Sequence, residues 1–472
     1  MDSNENSPPS WALPALLAAT LASRLVFLSE SPVDMPAVLL ARGVAEYDPV
    51  HAQPHLPGYP GVILLARGVG LLGADALDAL RWVSALGSTA LVAGGWAVAR
   101  RVGAPPLLVA GLLAANPAAW YFGETANTYA VGAAAATWTA WAALRSRTEP
   151  SASAALWVGL LLGVTGTLRP SLLLLLAPMV ALATGRRVPL AAAAAAIVTL
   201  AQVSWSADAS GGLGPYVAAI GEAAARAAPE GETAVQHAHR LALYIVQTLS
   251  AGILLLPWWR RGFLRLPPRV RPVLALWVGV PFAVHALFHA ELGYLLAYAA
   301  APMLIGAAAP KAMVAAATVM SAALFLLPAP LDAARDSRPS GLGVDTPGDA
   351  AAVEASFLVA PSRRGLADTA SANHTFTRLL APRAGPGTTI VCDRRWNETV
   401  AEQLLPGVRA TWRDAPKLLV PAEGARLLFV GWDDPGPGWR RLEQDGLVAW
   451  SRDIAPSDVP FTFRGLQAVR VD

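Results

Sequence analysis

Eleven apolar runs set the limits on what this 472-residue chain can fold into. They lie roughly at 11–28, 81–99, 105–122, 127–144, 154–168, 171–183, 188–205, 241–256, 272–289, 294–309 and 312–327. In a bilayer such a run must satisfy its backbone N–H and C=O groups internally, and it does so as a helix. With 54% hydrophobic and 15% charged residues and a mean hydropathy of +0.44, the sequence predicts an α-helical polytopic membrane protein with about eleven transmembrane helices and excludes a soluble one. A twelfth run, 59–72, falls short of the ~20 residues needed to span and suits a helix lying at the interface.

Charge sets the topology. If 59–72 lies flat, then Arg100 and Arg101, Arg145 and Arg147, Arg186 and Arg187, the run WWRRGFLRLPPRVR and Lys311 all fall on one side. The positive-inside rule makes that side the cytoplasm. The N-terminus MDSNENSPPS lacks the positive region of a cleavable signal, so the first run is expected to stay as a helix with its start inside. The first loop (29–80), the turns at Glu124 and Arg169, loop 206–240 and turn 289–293 then face outward. The basic balance (net charge +3) orients helices and does not describe a nucleic-acid surface. These features place the chain in a plasma (inner) membrane, and the Ala, Gly, Pro and Arg bias fits a GC-rich bacterial genome.

A membrane domain is expected over 1–328, a Pro, Gly, Ser and Asp-rich linker over 329–350, and a small extracytoplasmic α/β domain over 351–472. In that last part TTIVCD, ARLLFVGW and GLVAWS read as strands and NETVAEQLL as a helix. It has no GxGxxG, Walker, HExxH or nucleophile-elbow motif. Cys392 is the only cysteine, which excludes an intramolecular disulfide and a cysteine zinc cluster.

Ionisable residues gathered at a membrane boundary mark a functional site. The stretch DMPAVLLARGVAEYDPVHAQPHLPGYP, 34–60, carries carboxylates, two histidines and a proline-rich turn just past the first apolar run. Transfer from a membrane lipid carrier needs a base for the acceptor and a cation for a phosphate leaving group. Asp34, just past the first run, is the expected base; its alternative is a helix cap ahead of Pro36. HLPGYP combines prolines that fix φ with a glycine that frees it, a rigid bend presenting His55 and Tyr59. Glu124 in WYFGETANTYA suits sugar hydroxyls, or a solvated turn. Arg169 in TLRPS suits bidentate phosphate binding, or snorkelling to the interface. QHAHR adds His237, His239 and Arg240 for donor binding, while His285, His289 and Glu291 end another run. The histidines read as packing or hydrogen-bonding groups rather than metal ligands; a divalent cation shared by Glu124 and Asp34 stays open, and no other cofactor is called for.

Asp34, the small-residue helix after it, HLPGYP, the apolar helix it opens and Arg81 resemble the first outer loop of GT-C superfamily membrane glycosyltransferases. The Gly-Tyr-Pro form of the turn, together with WYFGETANTYA, is most similar to a protein O-mannosyltransferase-like branch. The resemblance covers about 11–187. It differs at Leu56, where the family has a proline, and at Met35 and Pro36, where an acidic partner follows the aspartate. It implies an inverting enzyme that moves a sugar from a polyprenyl-phosphate donor to an extracytoplasmic acceptor, with Asp34 as base and a basic residue such as Arg169 on the phosphate. A transporter or flippase would instead show inverted repeats, broken helices and midplane charges, none of which the sequence displays. A non-catalytic envelope assembly protein would place its function in the C-terminal domain.

Overall fold

The structure is a computed structural model that describes residues 9–226, 234–287, 292–326, 363–385, 388–392, 398–405, 407–412, 417–421, 425–430, 439–444, 447–454, 462–463 and 466–471. His289, Glu291 and the 329–350 linker lie outside them, as do the side chains of His239 and Arg240. The chain divides into two compact units. The first takes Met1–Ser29, Leu39–Ala329 and Glu354–Arg364; the second takes Glu30–Val38, Pro330–Val353 and Gly365–Asp472.

The first unit is helical. Its helices are α1 (Ala12–Val26), α2 (Met35–Ala45, whose first turn belongs to the second unit), α3 (Pro60–Gly70), α4 (Ala76–Val102), α5 (Pro106–Ala114), α6 (Pro117–Glu124), α7 (Tyr129–Thr148), α8 (Ala152–Leu168) and α9 (Pro170–Thr184). There follow α10 (Val188–Ala209), α11 (Leu213–Arg226), α12 (Ala234–Leu249), α13 (Leu256–Arg265), α14 (Arg271–Leu287), α15 (Leu292–Leu296), α16 (Ala300–Gly306) and α17 (Lys311–Leu326). Helix α7 is central, against α4 on one side and α8 and α9 on the other. Its inward positions Ala130, Ala133, Ala136 and Ala140 are fully buried. Helices that cannot gain from excluding water associate through close backbone approach, and small residues permit it. The outer surface carries exposed Leu174, Ile197, Leu200 and Val319. A face of that composition belongs in lipid.

Two stretches among the described residues are long and apolar enough to cross a membrane unaided, Ala76–Val102 and Pro170–Ala209, and six apolar helices are shorter. The expected helix over 105–122 is broken between α5 and α6. Asn116 sits at the break: its Oδ1 accepts from Ala119 N at 2.9 Å, and its Nδ2 donates to Thr248 O at 2.7 Å. Pro117 follows at the first helical position, where no N–H is needed. The expected helix over 294–309 is likewise interrupted at 297–299, between α15 and α16. Broken helices are thus present where none was expected. The expected loop 206–240 contains α11 among the described residues, and the arginine-rich 258–271 run is largely the helix α13.

The second unit holds α18 (Arg363–Leu380), α19 (Glu398–Leu404) and eight strands, β1 (Thr388–Cys392), β2 (Arg409–Trp412), β3 (Lys417–Pro421), β4 (Ala425–Val430), β5 (Arg440–Gln444), β6 (Leu447–Ile454), β7 (Thr462–Phe463) and β8 (Leu466–Val471). One sheet runs β2-β1-β4-β6-β5, with β1 parallel to β2 and β4 and the β4-β6-β5 side antiparallel. The other runs β3-β8-β7. Phe376, Leu379 and Leu380 of α18 pack with Ile390, Leu428, Ala449 and, from far along the chain, Val38. The strands expected at TTIVCD, ARLLFVGW and GLVAWS and the helix in NETVAEQLL are all present.

Candidate functional site

The site grows from the turn between α8 and α9. Arg169 N donates to Thr165 O at 2.8 Å, closing α8, and Pro170 opens α9. The backbone of Arg169 is therefore extended, φ −153° and ψ 96°. Its side chain runs into protein. The residue is only 4% exposed, so it does not snorkel. Its guanidinium carbon lies 4.1 Å from the Tyr129 ring centre and 4.2 Å from that of Tyr294, and Nη1 donates to Thr128 Oγ1 at 2.6 Å. Each cation–π contact of this kind contributes roughly 0.5–2 kcal/mol. The two tyrosine rings meet nearly at right angles, 85°. Beyond them, buried His285 faces the rings of Tyr294 at 5.0 Å and Tyr298 at 6.2 Å. His237 Nε2 donates to the carbonyl of His285 at 3.1 Å, which brings this predicted donor residue to the same cluster.

Thr128 and Tyr129 end the second motif. Glu124, the last residue of α6, has no exposed surface, and this corrects the reading of a solvated turn carboxylate. The loop after it is tied by Asn127. Its Nδ2 donates to the carbonyls of Phe122 and Thr125, each at 2.7 Å, and its Oδ1 accepts from Tyr129 N at 2.7 Å. Buried polar groups bonded in this way hold one geometry, because each alternative leaves a donor or acceptor without a partner. Thr128 is thereby fixed for Arg169.

The HLPGYP bend opens α3. Gly58 has φ +104°, which a side chain rarely adopts, and a Cβ there would lie 2.5 Å from Tyr47 Oη. Tyr59 caps α3 at φ 47°, and its ring stands 5.0 Å from that of His55. Tyr216 Oη donates to Pro57 O at 2.9 Å, while Tyr47 stacks on Trp205 at 4.4 Å and bonds Ser206 Oγ at 2.8 Å. Burial pushes the Tyr47 and Tyr216 phenols up, with Ser206 opposing it, so both stay protonated while they hold the bend. At Gly61 a Cβ would strike Thr167 Oγ1. Glycine there lets α3 press on the end of α8, two residues before Arg169. The start of α3 and the Thr128–Tyr129 turn therefore both approach the α8–α9 turn that holds Arg169.

No family model matches the sequence, and no curated protein matches it. Among solved structures it is similar to ArnT from Cupriavidus metallidurans bound to undecaprenyl phosphate, with a TM-score of 0.60 and 11% identity over 94% of this chain and 98% of that one. The apo form of the same ArnT gives a TM-score of 0.57 and 11% identity over 95% and 99%. The chain therefore has the fold of that ArnT.

Asp34 belongs to the second unit, with Glu30–Val38. It is exposed, and its Oδ1 accepts from Ala37 N at 2.9 Å, so it caps α2. Among the described residues no three of His, Cys, Asp or Glu gather to hold a metal ion. Two buried arginines went unassigned in the sequence. Arg24 of α1 donates to Ser88 Oγ, Ser23 Oγ and Ala114 O at 3.3, 3.0 and 2.6 Å and lies over Trp120 at 4.4 Å, within the field of Glu124. Its signal was a single charge inside an apolar run, which is costly unless it does something. Arg81 of α4 pairs with Asp78 at 2.6 Å one turn from Ser84, whose Oγ donates to Asn127 O. Tyr294, whose position at the start of an apolar run reads as ordinary interfacial anchoring, was also passed over.

Proposed function

We propose that this chain is an inverting membrane glycosyltransferase of the GT-C type that takes its sugar from a polyprenyl-phosphate donor and delivers it to an extracytoplasmic acceptor. The observation that supports the reading is the buried cation at Arg169, close to the rings of Tyr129 and Tyr294 and bonded to Thr128. The undecaprenyl phosphate bound by ArnT, a protein of the same fold, supports the donor class.

In this reaction the acceptor oxygen attacks the anomeric carbon opposite the phosphate. The new C–O bond forms as the sugar–phosphate bond breaks, and configuration inverts. Asp34 takes the acceptor proton, and the phosphate leaves with its charge held by Arg169. Arginine suits that task because its planar fork meets two phosphate oxygens at once. His55, Tyr59 and Glu124 are proposed for the sugar, Glu124 only after a rearrangement that uncovers it, and His237, His239 and Arg240 are proposed for the rest of the donor. The donor site faces outward and the N-terminus inward.

The test is purified protein in nanodiscs with a radiolabelled polyprenyl-phosphate sugar. Formation of glycosylated acceptor with release of free polyprenyl phosphate is expected. The interruptions at Asn116 and 297–299 favour one other reading, a lipid transporter. Donor that crosses the bilayer of proteoliposomes with its sugar still attached would replace the first reading with the second.

A further inference from the structure

The second unit contains the nine-residue segment Glu30–Val38, which includes the proposed base Asp34. Two points on α18 hold that segment. Buried Asn373 donates from Nδ2 to Ser31 Oγ at 3.0 Å and to Pro32 O at 3.1 Å. Three residues on, Phe376 packs in the core cluster that also contains Val38. Residues three apart on a helix share a face, so one face of α18 grips the segment on both sides of Asp34. Between the grips only Val33 to Ala37 remain, and Asp34 uses its own Oδ1 to start α2 within them. The carboxylate is left exposed while its backbone is fixed. Asn373 begins an Asn-His-Thr sequon, yet its amide is buried and engaged.

We infer that Asn373 is a positioning residue for Asp34, so that α18 of the second unit sets where the proposed base stands within that unit. The inference rests on the glycosyltransferase reading for its activity arm alone. A base displaced by about 1 Å from its productive geometry costs up to about 100-fold in rate. Losing Asn373 lets the segment shift without removing any group that touches donor.

The experiment compares the full chain in nanodiscs with Asn373→Ala, Asn373→Ser and, as a control on the exposed side of α18, His374→Ala. Hydrogen exchange over 30–38 and steady-state kinetics are both read. Asn373→Ala is expected to speed exchange over 30–38 and to lower kcat about 10- to 100-fold with the donor KM unchanged. Asn373→Ser, which keeps one donor, should recover part of both, and His374→Ala should change neither. If Asn373→Ala fails to fold, the serine variant carries the same two readouts. Unchanged exchange over 30–38 overturns the grip, and faster exchange with unchanged kcat overturns the positioning role. A wild-type chain that transfers no sugar sinks the glycosyltransferase reading instead, and exchange alone then decides whether Asn373 holds the segment.

Discussion

The Arg169 turn and the Asp34 segment are the two charged regions on which the proposed chemistry depends, and they are built in opposite ways. Arg169 is buried, with tyrosine rings near its guanidinium and its Nη1 on a threonine fixed by a buried asparagine network. Asp34 is exposed and is located through its neighbours' backbone and side chains. A charge that must bind an anion gains strength from a dry, fixed setting. A group that must take up and release a proton needs access and an exact position more than burial. The contrast separates binding from rate, and each region can be tested for its own half.

The largest effect is expected at Asp34. Asp34→Asn cannot take a proton but remains a good helix cap, so turnover should fall on the order of 10²- to 10⁴-fold while donor affinity and thermal stability hold. Near wild-type turnover would reduce Asp34 to a cap and move the search for the base to Glu124 or His55.

Next comes Arg24, the buried cation bonded to Ser88, Ser23 and Ala114 and lying over Trp120. Arg24→Met should cost about 3–5 kcal/mol of stability, because it removes the charged donor from Ser88 Oγ and from Ala114 O at the end of α5. Chemical denaturation in mild detergent reads it. A loss of donor binding with stability intact would place Arg24 among the ligand-binding groups and blur the contrast.

Arg169→Ala should weaken polyprenyl phosphate binding about 10- to 100-fold, and Arg169→Lys less, since lysine keeps the charge and loses the fork. Binding equal in both variants and wild type would make Arg169 a packing residue. The smallest effect is expected at Tyr216→Phe, which removes one bond to Pro57 O and should cost about 1 kcal/mol of stability. A larger cost would mean that α11 does more than brace the bend.

Much of this was legible, for reasons that differ by residue. HLPGYP is readable because Pro and Gly declare their backbone angles, and the bend is there. Arg169 is readable because a charge between two apolar runs has few places to go. Asn116 followed by Pro117 was a cap-and-first-turn signal inside the 105–122 run, and hydropathy averaged over it. The break at 297–299 has no such signal, since Ala297, Tyr298 and Ala299 continue the apolar run. Nothing local in Ser31, Pro32 or Asn373 announces that they meet, because they are joined across more than 300 residues of chain. Long-range pairing of that kind is set by the packing of α18, which single-sequence patterning does not contain.

The most direct test of the account is an experimental structure of the chain with undecaprenyl phosphate. The account predicts the phosphate within hydrogen-bond reach of Arg169, at the α8–α9 turn that the start of α3 and the Thr128–Tyr129 turn both approach. A phosphate bound away from Arg169, with the tyrosine cage unchanged, would contradict it.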